Sequence, residues 1–510
     1  MRAMPDNPSA ADPRPDIARL FTDTVRRKPD APALGVIDGG QLSWRTWAEL
    51  DQAVDQARGE LQELGVGEGD IVAHCGPNSP RWIARDLAML SLGVVHAPLA
   101  ESIIDRCPLP LYRGQRRRLL SGELVRVARL PPEHRVATLA MTSGTSGEPL
   151  AAMLTQANLS SNATAVSDAV GGDGSEVRLS FLPHSHLYAR VCDLYAWVYR
   201  GSRLALAERR ETLMRDIKLV EPTSLNGVPY FYQKVLDHWR ADREAGGKSS
   251  LREALGGRVR QCFCGGAALS PAVQQAFADE GAPLMNGYGL SEAAPVVAAS
   301  SLAANKVGTV GPPLAGVEVR VADDGELLVR GPNVMLGYWN NDEATRRVLR
   351  DGWLHTGDLG ELDEQGRLTV TGRKKEALVL STGRNASPSR LESLLCASPW
   401  VEQACVVGDG RKHLSALIVP NPDRVRGEIR QRRLWVFSRR QALRHTHIRE
   451  VFAREIAEQL TGLPQHEQIE RFTLIPRGFS IERGELTAKL SLRRSGIEQS
   501  FRREIEAMYH

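Results

Sequence analysis

Apolar positions recur at helical spacing through WAELDQAVDQARGELQEL (residues 47–64) and stop at Gly65, after which GVGEGDIVAHCG reads as turn, strand and turn. RWIARDLAMLSLGVVHAPL predicts a helix feeding a short apolar strand. TLMRDIKLVEPTSLNGVPYFYQKVLDHW and VRQCFCGGAALSPAVQQAFADEG repeat the alternation. An α/β chain of layered sheets with covering helices is expected over more than half the length. From about Lys306 the texture changes to short strands punctuated by glycine, GTVGPPLAGVEVRVADDGELLVRG, as in a small antiparallel or barrel-like unit. After TGRKKEALVL a third texture begins, mixing helix and strand pieces to the end, and no internal repeat or low-complexity tract interrupts the three.

Length and composition narrow this picture. A chain of 510 residues exceeds one ordinary core, so two or more domains are expected. Hydrophobic residues at 42% and charged residues at 25% suit a soluble globular protein. The 65 basic and 61 acidic residues leave a net +4, a small excess that fits an anionic substrate and does not imply nucleic-acid binding. Seven cysteines without a repeated CxxC spacing point to neither a disulfide framework nor a zinc ribbon, and fit a reducing, cytoplasmic setting. Cys262 and Cys264 sit two apart in an apolar run, which in a strand places both on one face as small buried hydrophobes. No apolar signal core opens the chain, and no apolar run reaches the roughly 20 residues of a spanning helix. The arginine-rich run RVRGEIRQRRLWVFSRRQALRHTHIRE reads first as a solvated helical face, with peripheral membrane-surface or nucleic-acid contact as the other readings.

Candidate chemistry begins at TSGTSGEPLAAM, Thr142 to Met153, which follows the apolar, strand-like VATLA. Hydroxyl residues alternating with glycines make a loop whose backbone N–H and side-chain O–H groups can converge on phosphate oxygens. It is not a Walker A loop, because Gly144 and Gly147 are too close and no GK[ST] follows. NGYGLSEAAPVV sets Tyr288, able to stack on a base, near Glu292, a carboxylate able to hold Mg²⁺. GWLHTGDLGELDEQGRLTVTGRKKE adds Asp358, suited to two ribose hydroxyls, and Arg373, a fork donor for ribose or phosphate. Taken singly, Tyr288 also reads as core, Glu292 as surface, Asp358 as a turn residue and Arg373 as half of an ion pair.

In this order the motifs resemble the adenylate-forming superfamily of acyl-CoA synthetases, peptide adenylation domains and luciferases, over nearly the whole chain. LVEPTSLNGVPYFYQKV and FCGGAALSPAV are similar to its central motifs. SFLPHSHLYARV and TGRKKEALVLSTGRNASPSRLE resemble the branch that activates long-chain fatty acids, and GELTAKLSLRRSGIEQSFRREIEAMY its last motif and terminal helix. The resemblance implies two half-reactions: a carboxylate attacks the α-phosphate of ATP to give an acyl-adenylate and pyrophosphate, and a thiol, usually that of CoA, takes the acyl group. It implies an N-terminal domain over 1–373, with the β-rich subdomain at about 306–373, and a small mobile α+β C-terminal domain over 374–510. Carried over by position, Thr142, Ser143, Gly144, Thr145, Ser146 and Gly147 would hold phosphates, and Glu292 with Thr145 the Mg²⁺. Gly266, Ala267 and Tyr288 would line the adenine site, Asn286, Gly287, Gly289 and Ser291 would belong to the same nucleotide site, and Asp358 and Arg373 would hold the ribose. His186 would lie near the acyl chain and the reacting carboxylate, and Lys375 at the hinge about which the C-terminal domain swings.

Three departures from the family pattern follow. The phosphate loop usually continues P-K-G, whereas Pro149 is followed here by Leu150 and Ala151. The catalytic lysine's place in LTAKLSLRR falls on Ser491, and Lys489 stands two residues earlier, on the same side of an extended segment. The interval from Pro98 to Thr142 is short, so either the first sheet is smaller or RRRLLSGELVRVARL patches its edge. The expected activity is an ATP- and Mg²⁺-dependent ligation of a fatty or other apolar acid to CoA. The alternatives are a low-turnover nucleotide- or acyl-binding homologue acting as a regulator, and an adenylating enzyme that loads an acyl carrier protein.

Overall fold

The computed structural model describes residues 16–131, 134–142, 149–480, 482–486 and 492–510. Contacts between Cα atoms divide the chain into two compact units. One comprises Met1–Ala267, Gln274–Thr356 and Leu362–Thr369; the other comprises Ala268–Val273, Gly357–Glu361 and Val370–His510.

In the first unit the helix that follows the first two strands is accounted for by its own sequence. Thr46 and Glu49 close a capping box at the N-terminus of Trp47–Glu63, each side chain bonding the other's backbone N–H. The periodic positions Trp47, Leu50, Val54, Ala57 and Leu61 are the ones it buries, and the Trp47 ring stacks on Trp197 at 4.6 Å. Gly65, at φ +67°, turns the chain after the helix.

An eight-stranded sheet runs in the order 296–299, 284–289, 261–264, 224–227, 177–180, 203–206, 32–38, 41–46. Its inner strands are parallel, and Val296–Ala299 and Gln41–Thr46 pair antiparallel at the two edges. Cys262 and Cys264 are both buried in it. The chain leaves Val177–Ser180 for Arg203–Leu206 on one side and returns to Ser224–Gly227 on the other, a topological switch that opens a crevice at the carboxyl ends of these strands.

The second sheet runs 337–338, 150–155, 136–142, 95–99, 70–75, 125–129. Its last member resolves the question of the short interval: the edge strand Val125–Arg129, which follows the helix Arg113–Leu120, pairs antiparallel with Asp70–Cys75, so the arginine-rich stretch does patch the edge. The glycine-punctuated region gives a five-stranded sheet, 318–321, 326–330, 353–362, 349–350, with 368–373 beside 353–362.

The second unit carries a three-stranded sheet, Val401–Val407, Leu414–Pro420 and Ile469–Leu474, packed with helices that include Pro388–Leu395 and Thr446–Gln459. The arginine-rich run does not form one helical face. It breaks at Arg433, in left-handed backbone at φ +51°, between the helices Pro422–Arg432 and Arg439–Arg444. The intervening Trp435 and Phe437 are 83% and 84% exposed. Among the described residues no helix is long and apolar enough to cross a membrane.

Candidate active site

The parallel strands end in glycines on one side of the crevice. Gly227, Cys264 and Asn286 lie side by side in register, so Gly265, Gly266 and the run Gly287–Gly289 follow at the same edge. A Cβ on Gly265 would stand 3.0 Å from the ring of Tyr188, and one on Gly289 would meet the Pro295 carbonyl. Both glycines are therefore required by close approach. Together with Tyr188, Cys192 and Ala196 these positions line a narrow cavity of about 90 Å³, as do Asn286 and Tyr288, so four of the expected nucleotide-site residues, Asn286 to Gly289, face one space with Gly266.

The wall opposite is an irregular helix. His186 caps Leu187–Ala189, the next residues Arg190–Tyr195 form a wide π turn, and Ala196–Arg200 returns to α geometry. Wide turns of this kind occur where side chains must be re-aimed. Here Asp193 is turned inward: it accepts from Ser180 Oγ at 2.9 Å and Asn226 Nδ2 at 2.6 Å. Burial pushes its carboxyl up to about 6, against the pull of Arg178 and of those two donors. His184, 3.0 Å from the same serine hydroxyl, is held down at about 4 by burial and is neutral at pH 7.

A second buried network lies under the hydroxyl-loop strand. Asp86 accepts from Arg190, from the Tyr195 hydroxyl at 3.0 Å and from His96 Nδ1 at 2.6 Å. Arg190 also donates to Thr138 Oγ1 at 2.7 Å, in the strand that ends at Thr142. Burial raises the Asp86 carboxyl, but Arg190 and His96 together hold it well below the usual carboxylate range. Burial and the neighbouring Arg190 hold His96 at about 4. The charges thus tie the helix Pro80–Ser91, two strands of the second sheet and the π turn into one block.

Glu292 lies on the short helix Ser291–Ala293, and the Tyr338 hydroxyl donates to its Oε1 at 2.7 Å. Tyr338 pairs with Ala152 across from the strand Leu150–Thr155, which leaves the hydroxyl loop, so the carboxylate is held beside that loop's exit. Leu150 opens this strand opposite Thr142 and packs against the unit's core. In the second unit Arg373 Nε pairs with Asp358 Oδ1 at 3.0 Å, Asp358 buried and Arg373 half-exposed; the ion-pair reading of Arg373 holds in this geometry. Lys375 is exposed on the short helix Lys374–Glu376, inside the second unit. Ser143, Gly144, Thr145, Ser146, Gly147, Lys489 and Ser491 lie outside the described residues.

Asp86, His96, Arg190, Ser180, His184, Asp193 and Asn226 are not singled out by motif reading. Their signal is a charged or polar residue inside an apolar run, as in WIARDLAML, where a solvated position would interrupt the burial of all its neighbours.

A profile of the AMP-binding enzyme family matches residues 21–106 and 108–339, and one of the AMP-binding enzyme C-terminal domain matches 375–510. The chain belongs to the AMP-binding enzymes. Members of this family activate a carboxylic acid as its acyl-adenylate and pass it to CoA; this one is an AMP-forming acid–thiol ligase whose substrates include ATP and CoA. The long-chain-fatty-acid–CoA ligase FadD15 of Mycobacterium tuberculosis is 33% identical over an alignment of 585 positions that covers 97% of each chain. That alignment is longer than the 510 residues present here, so the relative carries segments that this AMP-binding enzyme lacks. A feruloyl-CoA synthase of an Amycolatopsis species is 32% identical, over 75% of this chain and 84% of its own. The fold is that of solved adenylating enzymes: o-succinylbenzoate–CoA synthetase of Bacillus subtilis with AMP matches at a TM-score of 0.69 and 22% identity, over 93% of this chain and 97% of that one.

Proposed function

We propose that this enzyme couples the cleavage of ATP to AMP and pyrophosphate with formation of a CoA thioester of an apolar, fatty-type carboxylic acid, in the cytoplasm. The observation that carries this reading is the narrow, largely apolar cavity that opens among Gly265, Gly266 and Gly287–Gly289, the positions where the adenylate would form. In the proposed assignment Gly266, Ala267 and Tyr288 receive adenine, Tyr288 stacking on it, and Asn286, Gly287, Gly289 and Ser291 belong to the same nucleotide site. Asp358 and Arg373 receive the ribose, and Thr142–Gly147 the phosphates. His186 stands by the reacting carboxylate, and Lys489 supplies the cation that Ser491 lacks. The domain boundary is placed at 373/374, with Lys375 as its hinge.

Glu292 fits a divalent metal: one oxygen is fixed by Tyr338 beside the loop exit, and a single carboxylate combined with nucleotide phosphates is the donor set Mg²⁺ favours. Bound there with Thr145, Mg²⁺ would neutralise phosphate charge; the chain's own contribution is to aim the carboxylate.

Acid-dependent exchange of labelled pyrophosphate into ATP, followed by CoA, tests the reading. Exchange with apolar acids and conversion to the CoA thioester are expected, and measurable ATP binding without exchange for any acid would refute it. One observation favours a second thiol acceptor. Residues 429–444 hold six arginines and no acidic residue, around the exposed Trp435 and Phe437, a surface complementary to an acidic carrier protein. Offering a carrier in place of CoA separates the two.

A further inference from the structure

The cavity is not wholly apolar. Ser167, Arg178, Tyr188 and Asn226 line it among valines, alanines and cysteines. Three of these carry a buried polar atom without a hydrogen-bond partner among the described residues: Ser167 Oγ, Arg178 Nε and the Tyr188 hydroxyl. Buried polar atoms are seldom left so, and each calls for a ligand or water that completes it.

Arg178 is the demanding one. It is 5% exposed, and its one hydrogen bond among the described residues runs from Nη1 to the Cys192 carbonyl at 2.7 Å. The nearby carboxylates are engaged elsewhere. Glu176 pairs with Arg200 at 3.0 Å, and Asp193 is bonded to Ser180 and Asn226. No ion pair to Arg178 forms among the described residues: Asp193, the carboxylate whose charge it feels most, accepts its hydrogen bonds from Ser180 and Asn226, so the guanidinium sits in the interior with its counter-charge out of direct contact.

Its position along the sheet gives the site a polarity. Arg178 is level with Ser224 and, through it, with Gln261, at the start of the parallel strands. Gly265 lies four residues beyond Gln261, about 13 Å along the strand. The reacting end of an acid at the glycines therefore points its tail at Arg178. Ser167 belongs to the same far end, because its backbone carbonyl accepts from Arg200, the partner of Glu176.

We propose that the acid has an apolar chain ending in an acceptor oxygen, of a hydroxyl, carbonyl or carboxylate group, and that Arg178 and Ser167 receive that oxygen. The Tyr188 hydroxyl, whose ring lies against Gly265, is a second donor nearer the mouth. This rests on the ligase reading proposed above, with the acid's chain held in the cavity and the nucleotide received at the glycines of its mouth. A plain alkyl chain would leave all three atoms unpaired, which is how a site built for a hydrogen bond rejects the analogue that lacks it.

The test uses the full chain and a medium-length n-alkanoic acid beside its ω-hydroxy, ω-oxo and ω-carboxy counterparts of equal length. Two readouts are taken: kcat/KM for thioester formation and calorimetric affinity. At least one oxygen-ended acid is expected to be preferred by about ten- to a hundredfold, the range of one hydrogen bond to a charged group. Arg178→Met should collapse that ratio, and which of the three acids loses most identifies the oxygen. If Arg178→Met does not fold, the same ratio in Ser167→Ala and Tyr188→Phe decides. Turnover with the alkanoic acid equal or better, or a ratio unmoved by the variants, would overturn the assignment. A calorimetric preference without turnover of any acid would instead uphold the pocket and refute the ligase reading.

Discussion

At the scale of single residues, the chemistry turns on where cations stand. Leu150 occupies a strand position packed against the core, so the loop's usual lysine has been replaced by a side chain that contributes to folding. In the reading proposed above, the transferring phosphate then depends more heavily on the C-terminal motif. Lys489→Ala is expected to lower acid-dependent pyrophosphate exchange by about 10²- to 10³-fold, the effect of losing one donor to developing charge, while Ser491→Lys keeps or raises it. Full exchange activity in Lys489→Ala would remove that lysine from the mechanism. Asp193 supports a different prediction. Its folded value of about 6 exceeds the ordinary 3.8, so the native state binds its proton more tightly, and this stabilisation is present below pH 3.8 and lost as pH rises through about 6. Asp193→Asn removes the loss. Denaturant unfolding should show the variant gaining roughly 2 to 3 kcal/mol on the wild type between pH 4 and 7. The neutral histidines His96 and His184 act in the opposite sense in both proteins, since their stabilisation is lost as pH falls from 6.5 toward 4, and the comparison cancels them.

At the scale of elements, motif spacing finds Tyr288 and Glu292 because they lie in one short stretch, whereas Tyr338, which holds Glu292, is 46 residues away and belongs to another sheet. The alternation of helix and strand is equally readable, since it records which face of each element is buried. The π turn is not. Its width is set by what Arg190 and Asp193 reach across the fold, and local spacing carries no record of those partners. The Asp86–Arg190 pair is a buried ion pair, so removing one member strands the other. Asp86→Leu and Arg190→Met are each expected to cost about 3–5 kcal/mol, and the double variant less than either alone. Additive losses in denaturant titrations would mean that the two charges do not act as a pair.

At the scale of the whole molecule, the two textures at the ends of the chain correspond to separately cored units, and the chain achieves this with less sequence than its FadD15 relative. The economy has a consequence for how the molecule behaves in solution. Shortening an α/β layer leaves a terminal strand whose backbone groups would recruit any extended segment nearby. Here that terminus is Val125–Arg129, which brings Arg126, paired with the buried Asp70 at 2.7 Å, and the exposed Arg129 to the rim. Like guards on an unsealed border, the guanidinium groups make strand addition from another molecule costly. Arg129→Val, which leaves the Arg126–Asp70 pair intact, should keep the cavity and its chemistry in place yet turn a monodisperse preparation into one that self-associates on concentration or heating, visible by light scattering. On this account the arginines in the shortened interval keep copies of the enzyme apart.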